Sequence, residues 1–135
     1  MTDLITAEQG QKFKADAGKL KARLLFEGMP RALLAIAAVL SYGEQKYEAH
    51  SWKKVDKSRY EDAKFRHILE ERAGFGKNDD ESDLLHEAHA ACNMLFTLEQ
   101  RLSKMTREEF KEAMKFNKPP QGHKAEPQDH KNDKS

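Results

Sequence analysis

From residue 79 to residue 93 the chain reads Asp-Asp-Glu-Ser-Asp-Leu-Leu-His-Glu-Ala-His-Ala-Ala-Cys-Asn. A run of carboxylates passes directly into an apolar stretch that carries nitrogen and oxygen ligands. His86, His89 and Asn93 follow i, i+3, i+7 spacing, so on a helix their side chains share one face. Leu84, Leu85, Ala88, Ala91, Cys92, Leu95, Phe96 and Leu98 cover most of the remaining circumference. A helix apolar nearly all round is expected to be buried, and a buried imidazole or amide needs a partner to offset lost hydration. As helix-start charges, Asp79, Glu81 and Asp83 would each contribute only about a few tenths of a kcal/mol. They are also hard oxygen donors of the kind Mg²⁺ or Mn²⁺ takes. With His86 and His89 they could bind a metal, or the helix stripe could be a buried polar network alone. Glu87 points elsewhere on the helix, so the zinc-protease pattern of two histidines four apart is absent.

Three further segments carry polar chemistry. Arg66-His67 lies in a helical stretch with Lys64 and Glu71 near the same face. If that helix packs antiparallel to the one bearing His86 and His89, as their short connection implies, His67 meets the histidine stripe. Arg66 can donate two parallel hydrogen bonds to a phosphate. Glu70 and Glu71 read as solvated surface charges. Lys14-Ala15-Asp16-Ala17-Gly18-Lys19 sets two lysines and a carboxylate around a glycine, without Walker A spacing. Tyr42-Gly43-Glu44-Gln45-Lys46-Tyr47, followed by His50 and Trp52, places aromatics and a lysine in an expected connection. Aromatics there can anchor the core or stack on a base, and sequence leaves both open.

The elements that must position these groups are helical. One helix starts at Pro30, a residue suited to a first turn. It runs through Leu33, Leu34, Ile36, Ala37, Val39 and Leu40 to a stop at Gly43, and is expected to be buried on more than one side. A second opens at Ser58, where Ser58-Arg59-Tyr60-Glu61 has capping-box form, and ends near Arg72 before Gly74. The third runs from about Ser82 to Leu102, with Thr97 and Gln100 continuing its polar stripe. Thr106-Arg107-Glu108-Glu109 is another capping box, opening a short helix through Phe110 and Met114. No period-2 strand is visible, so the fold is expected to be all-α. Residues 1–13 are expected to be loose, 14–116 to form one helical domain, and 117–135 to be a disordered tail in which His123 and His130 are incidental.

Composition narrows the class. The chain has 135 residues, 35% charged and 38% hydrophobic, a thin apolar core for its length that is expected to be completed by homo-oligomerisation. A formal net charge of +1 gives no reason to expect nucleic-acid binding. The single cysteine, Cys92, reads as a small buried hydrophobe in a reducing compartment. No apolar run is long enough to span a membrane, and no signal-peptide core is present, so a soluble cytoplasmic protein is expected.

Taken in order, these segments resemble a phage and bacterial family of dATP/dGTP diphosphohydrolases, close to the all-α MazG-like nucleotide pyrophosphohydrolases. The resemblance rests on Lys14, Asp16, Gly18, Lys19, Leu24 and Leu25, then Tyr42, Gly43, Lys46, Tyr47 and Trp52. It continues through Arg66, His67, Asp79, Glu81, Ser82, His86, His89 and Asn93. It departs from the family pattern at Asp83, where glycine is expected, at Phe26, where proline is usual, and at Lys77, near an expected acidic residue.

The resemblance implies hydrolysis of a purine deoxynucleoside triphosphate to monophosphate and pyrophosphate, dependent on Mg²⁺ or Mn²⁺. It implies metal ligands Asp79, Glu81, His86 and His89, with Glu81, His67 and His89 in catalysis. Lys14, Asp16, Lys19, Lys46, Arg66 and Asn93 would bind substrate, and Tyr47 or Trp52 the base. A different class remains open: a non-enzymatic helical interaction module, such as an inhibitor of a host factor, in which His86, His89 and Asn93 are only a core network.

Overall fold

The computed structural model describes residues 19–116. Residues Lys21–Phe110 form one compact unit. Residues 19–20 and 111–116 fall outside that unit. The elements are α1 (Ala22–Gly28), α2 (Pro30–Lys46), a 3-10 turn (Ser51–Lys54), α3 (Lys57–Arg72), α4 (His86–Leu102) and α5 (Arg107–Ala113). Among the described residues there is no strand, only an isolated antiparallel bridge between Asn78 and Leu85. The all-α expectation holds. No single helix among them is long and apolar enough to cross a membrane.

The principal packing is α3 against α4, and the pairings show its sense. Tyr60 near the start of α3 meets Phe96 late in α4, while His67 further along α3 meets His86 and His89 at the start of α4. The pair is antiparallel, as the short connection required. Val39 of α2 closes the core with Ala88 and Cys92 of α4, supported by Ala35, Ile36, Leu84 and Phe96. Cys92 is a free thiol, 2% exposed, and burial pushes it up to about 11. Trp52 stacks on Phe96 with ring centroids 4.5 Å apart. The Gln100 amide fixes that 3-10 turn by donating to the carbonyls of Trp52 and Val55 at 3.1 and 2.9 Å.

Several boundaries differ from the sequence expectation, each for a local reason. α1 was not anticipated; it bends by 87° into α2 at Met29, ahead of Pro30. α2 continues through Gly43 to Lys46, so Tyr42, Gly43 and Lys46 lie on helix and not in a connection. Gly43 does not take the left-handed conformation that would stop it. α3 starts at Lys57, and the Ser58 hydroxyl donates to the Asp56 carboxylate, so no Ser58–Glu61 capping box forms. The Asp56 carboxyl is held below its ordinary value by that bond. α3 does end before Gly74, whose φ of 86° suits glycine. Phe75 then donates its amide to the Glu70 carbonyl to close the last turn.

The Thr106–Glu109 box forms reciprocally. The Thr106 amide donates to Glu109 Oε1 at 2.8 Å, and the Glu109 amide to Thr106 Oγ1 at 3.1 Å. Burial is less complete than the apolar patterns implied. α2 buries only Val39, and Leu85, Met94, Leu95 and Leu98 of the α4 segment remain exposed. The expected loose segment 1–13 and disordered tail 117–135 lie outside the described residues.

Candidate metal centre

The segment between α3 and α4 is built to hold one carboxylate. The Asp79 amide donates to the Leu84 carbonyl, the Asp83 amide to the Asp79 carbonyl, and the His86 amide to the Lys77 carbonyl. Asp79 Oδ2 accepts from the amides of Glu81 and Ser82 at 3.1 and 2.9 Å and from the Ser82 hydroxyl at 3.1 Å. These bonds, and the left-handed turn at Asp83 (φ 61°), delay the start of α4 from the expected Ser82 to His86. The same turn accounts for a departure from the family pattern. Asp83 stands where glycine was expected because aspartate is among the few side chains that tolerate this conformation.

With Oδ2 engaged, Asp79 Oδ1 faces the helix pair, 4.0 Å from His67 Nδ1. His67 Nδ1 and His86 Nδ1 are 2.9 Å apart, sharing a hydrogen bond whose direction depends on the tautomers. His86 Nε2 lies 3.7 Å from Glu70 Oε1. One ligand atom each from His67, Glu70, Asp79 and His86 falls within 4.8 Å of every other. Bonds of about 2.1 Å meeting at right angles would set neighbouring ligand atoms about 3 Å apart, so the two imidazole nitrogens already have the spacing of adjacent ligands.

Protonation suits the same purpose. Burial first, and neighbouring His89 second, press His67 down to about 4, leaving it neutral at pH 7 with a lone pair to give. Burial pushes the Asp79 carboxyl upward, but the Ser82 amide and hydroxyl outweigh it, and the group stays below its ordinary value.

Around this group stands a supporting layer. His89 stacks on His67, centroids 4.5 Å apart and planes 6° from parallel. Its Nε2 is 2.7 Å from Ser82 Oγ, which also accepts the Leu84 amide at 3.1 Å. The Ser82 hydroxyl has one hydrogen. Giving it to Asp79 makes His89 Nε2–H the donor to Ser82, and the result is a relay from His89 through Ser82 to Asp79. His89, also lowered mainly by burial, thus supports two members of the group. On the other flank Lys46 Nζ meets Glu81 Oε2 at 2.7 Å. Tyr42 meets His89 with ring planes nearly perpendicular and centroids 6.4 Å apart. The Glu81 carboxyl is lowered first by the Lys46 hydrogen bond and then by Tyr42.

A family model described as dATP/dGTP diphosphohydrolase, N-terminal, matches residues 9–110. The chain belongs to that family. A relative from Salmonella phage PMBT28, named dATP/dGTP diphosphohydrolase, is 40% identical over 83 residues, which is 62% of this chain and 27% of that protein. The chain thus spans little more than a quarter of that relative's length. No solved structure matches it.

Set against the expected site of a dATP/dGTP diphosphohydrolase, the structure brings Asp79, His86 and His67 into the four-ligand group. Glu81 and His89 stand beside it, one paired with Lys46 and the other with Ser82. Glu70, expected to be a solvated surface charge, joins the group. Its i, i+3 spacing from His67 on one helix was the signal for it. Asn93 is buried one turn beyond His89. Trp52 is committed to Phe96, while Tyr47 is exposed beside Lys46. Arg66 lies exposed on α3. Lys14 and Asp16 lie outside the described residues; Lys19 is at their first position.

Proposed function

We propose that this chain carries the catalytic centre of a metal-dependent pyrophosphohydrolase that converts dATP and dGTP to the monophosphate and pyrophosphate. The observation that carries the reading is the group of two buried imidazoles and two carboxylates, in a chain of this family. His67, Glu70, Asp79 and His86 would hold the ion. Two imidazoles beside two carboxylates suit Mn²⁺ better than Mg²⁺, which prefers all-oxygen surroundings. When bound, such an ion neutralises charge that develops on the phosphates.

The chain's own residues supply the rest. Lys46 is the phosphate contact on the α2 side and Arg66 the one on α3, with Lys14, Asp16 and Lys19 in the N-terminal segment and Asn93 on α4 as further substrate contacts. When Lys46 turns to a phosphate, Glu81 loses the partner that most depresses it and becomes the stronger base. A water oxygen then attacks the α-phosphorus, its proton passes to the Glu81 carboxylate, and the bond to the bridging oxygen breaks as pyrophosphate departs. His89 holds Asp79 through Ser82 and holds His67 by stacking. The reaction belongs to the cytoplasm, and the protein acts as a homo-oligomer whose contacts include the exposed apolar side chains of α1 and α2.

The deciding experiment measures pyrophosphate release from each of the four dNTPs with Mn²⁺ and with Mg²⁺. Release from dATP and dGTP that His86→Ala and Glu81→Gln both abolish is expected. No release from any dNTP with either metal, or wild-type turnover in both variants, would sink the reading.

A further inference from the structure

The outer face of α3 carries a groove of about 360 Å³ in which Arg66 and Glu70 alone have one of these roles. Phe65, Leu69 and Phe75 form its apolar lining, and Asp62, Arg66 and Glu70 its charged one. Glu70 belongs to both the groove and the four-ligand group. It is also the most accessible ligand. Its side chain is 36% exposed, against 8% for His67, 18% for Asp79 and 3% for His86. A substrate reaching the ion past its most open ligand therefore passes along the groove.

We propose that this groove seats the nucleobase of the triphosphate, and that its ligand class is a base bearing an exocyclic amino group. The proposal rests on the metal-centre reading for the direction in which the phosphates run. Phe65 and Phe75 offer faces on which a flat ring can pack. Arg66 makes no ion pair with another described residue and sits between base and ion, where an α-phosphate would lie. Asp62 and Glu70 are eight residues apart on one helix, about 12 Å along its axis, a span on the scale of a nucleoside monophosphate. At the far end the Asp62 carboxylate can accept hydrogen bonds from the amino group of adenine or guanine; thymine has none. A second copy of the chain is the other candidate occupant. Charged residues are depleted in the core of protein interfaces, whereas ligand sites combine an apolar lining with a few polar groups, and this lining is of the second kind.

The test is calorimetric titration of the full chain, with and without Mn²⁺, using dGTP, dTTP and inorganic tripolyphosphate. Phe75 is an exposed side chain, so Phe75→Ala can be made without opening the core. It should weaken dGTP binding about ten-fold, the usual scale for losing one stacked ring. Tripolyphosphate and Mn²⁺ should bind as to wild type. Asp62→Ala should weaken dGTP and leave dTTP unchanged. The proposal is overturned if Phe75→Ala binds dGTP normally or loses tripolyphosphate equally. A fall in sedimenting mass in that variant would give the groove to a second copy, and wild-type protein that holds dGTP no better than tripolyphosphate would also end it. Failure of Mn²⁺ to bind wild type would remove the metal centre alone, because the comparison of dGTP with tripolyphosphate reads the base directly.

Discussion

Where α3 ends and α4 begins, His67 and His86 are 6% and 2% exposed, whereas on α1 and α2 Leu24, Phe26 and Leu34 are 69%, 64% and 70% exposed. The usual distribution is inverted at both places, and each inversion has a cost. Burying imidazoles forfeits hydration; leaving leucine and phenylalanine in water forfeits apolar burial. The two regions therefore point to different kinds of partner. A ligand with charge satisfies the first, and an apolar surface satisfies the second. The α3–α4 end is fixed by a dense set of hydrogen bonds before any partner arrives, whereas α1 buries none of its own residues.

The largest expected effect breaks the polar side of this contrast. His86→Leu should reduce Mn²⁺ binding and pyrophosphate release to background. It should also cost about 1–3 kcal/mol, because His67 keeps a buried nitrogen without its partner. Combining it with His67→Phe should recover most of that stability while activity stays absent, since replacing both partners by apolar groups is close to neutral. Denaturant unfolding of the two variants checks this; a double variant less stable than the single would show that the imidazole pair is a structural need.

Acid should act on the same region. His67 has a folded value of about 4 against 6.5 in the unfolded chain, so between those values the unfolded state binds more protons. Stability is fully present above pH 6.5, falls as pH drops toward 4 and levels off below. One group with this shift accounts for a loss on the order of 2–3 kcal/mol. Urea midpoints at pH 7 and pH 4.5 measure it, and His67→Phe should flatten the difference.

A smaller effect concerns the turn that holds Asp79. Asp83 has positive φ, so Asp83→Val should destabilise by roughly 1–2 kcal/mol and Asp83→Gly by little or nothing. Equal losses in the two variants would mean that the Asn78–Asp83 contact, not the backbone, matters there.

On the apolar arm the expected change in stability is the smallest. Leu34→Glu should alter unfolding free energy by about 0.5 kcal/mol or less, as surface substitutions do. Sedimentation velocity should nevertheless show a smaller species than wild type. A single-chain mass for the wild-type protein would remove the partner from that arm.

Much of this was legible in the residues, and the rest was hidden for identifiable reasons. Pro30 marked the start of α2 because its fixed φ and missing donor suit a first turn. The antiparallel placement of His67 against His86 and His89 followed from the short connection between helices. The place of Glu70 beside His86 was hidden because a solvated glutamate and one facing a neighbouring helix have the same spacing until the opposing helix is known. The start of α4 was hidden because Asp79, Glu81 and Ser82 resemble helix-start residues, while the Glu81 and Ser82 amides and the Ser82 hydroxyl turn back to the Asp79 carboxylate. Ser58 read as a cap, but the Asp56 carboxylate took its hydroxyl. α1 carries no N-terminal signal, since Lys21 provides no side-chain cap.

The chain's only cysteine lies on α4 one turn past His89. Because it is the thiolate that attacks thiol reagents, Cys92 stays inert while the helices are closed and reacts only when they part. Its labelling rate is then a clock for how often the core opens. Any nucleotide or cation that binds the closed chain slows this clock by the factor by which it outweighs its own dissociation constant. Affinity for unknown ligands can thus be read from one thiol, without turnover and without a label on the ligand.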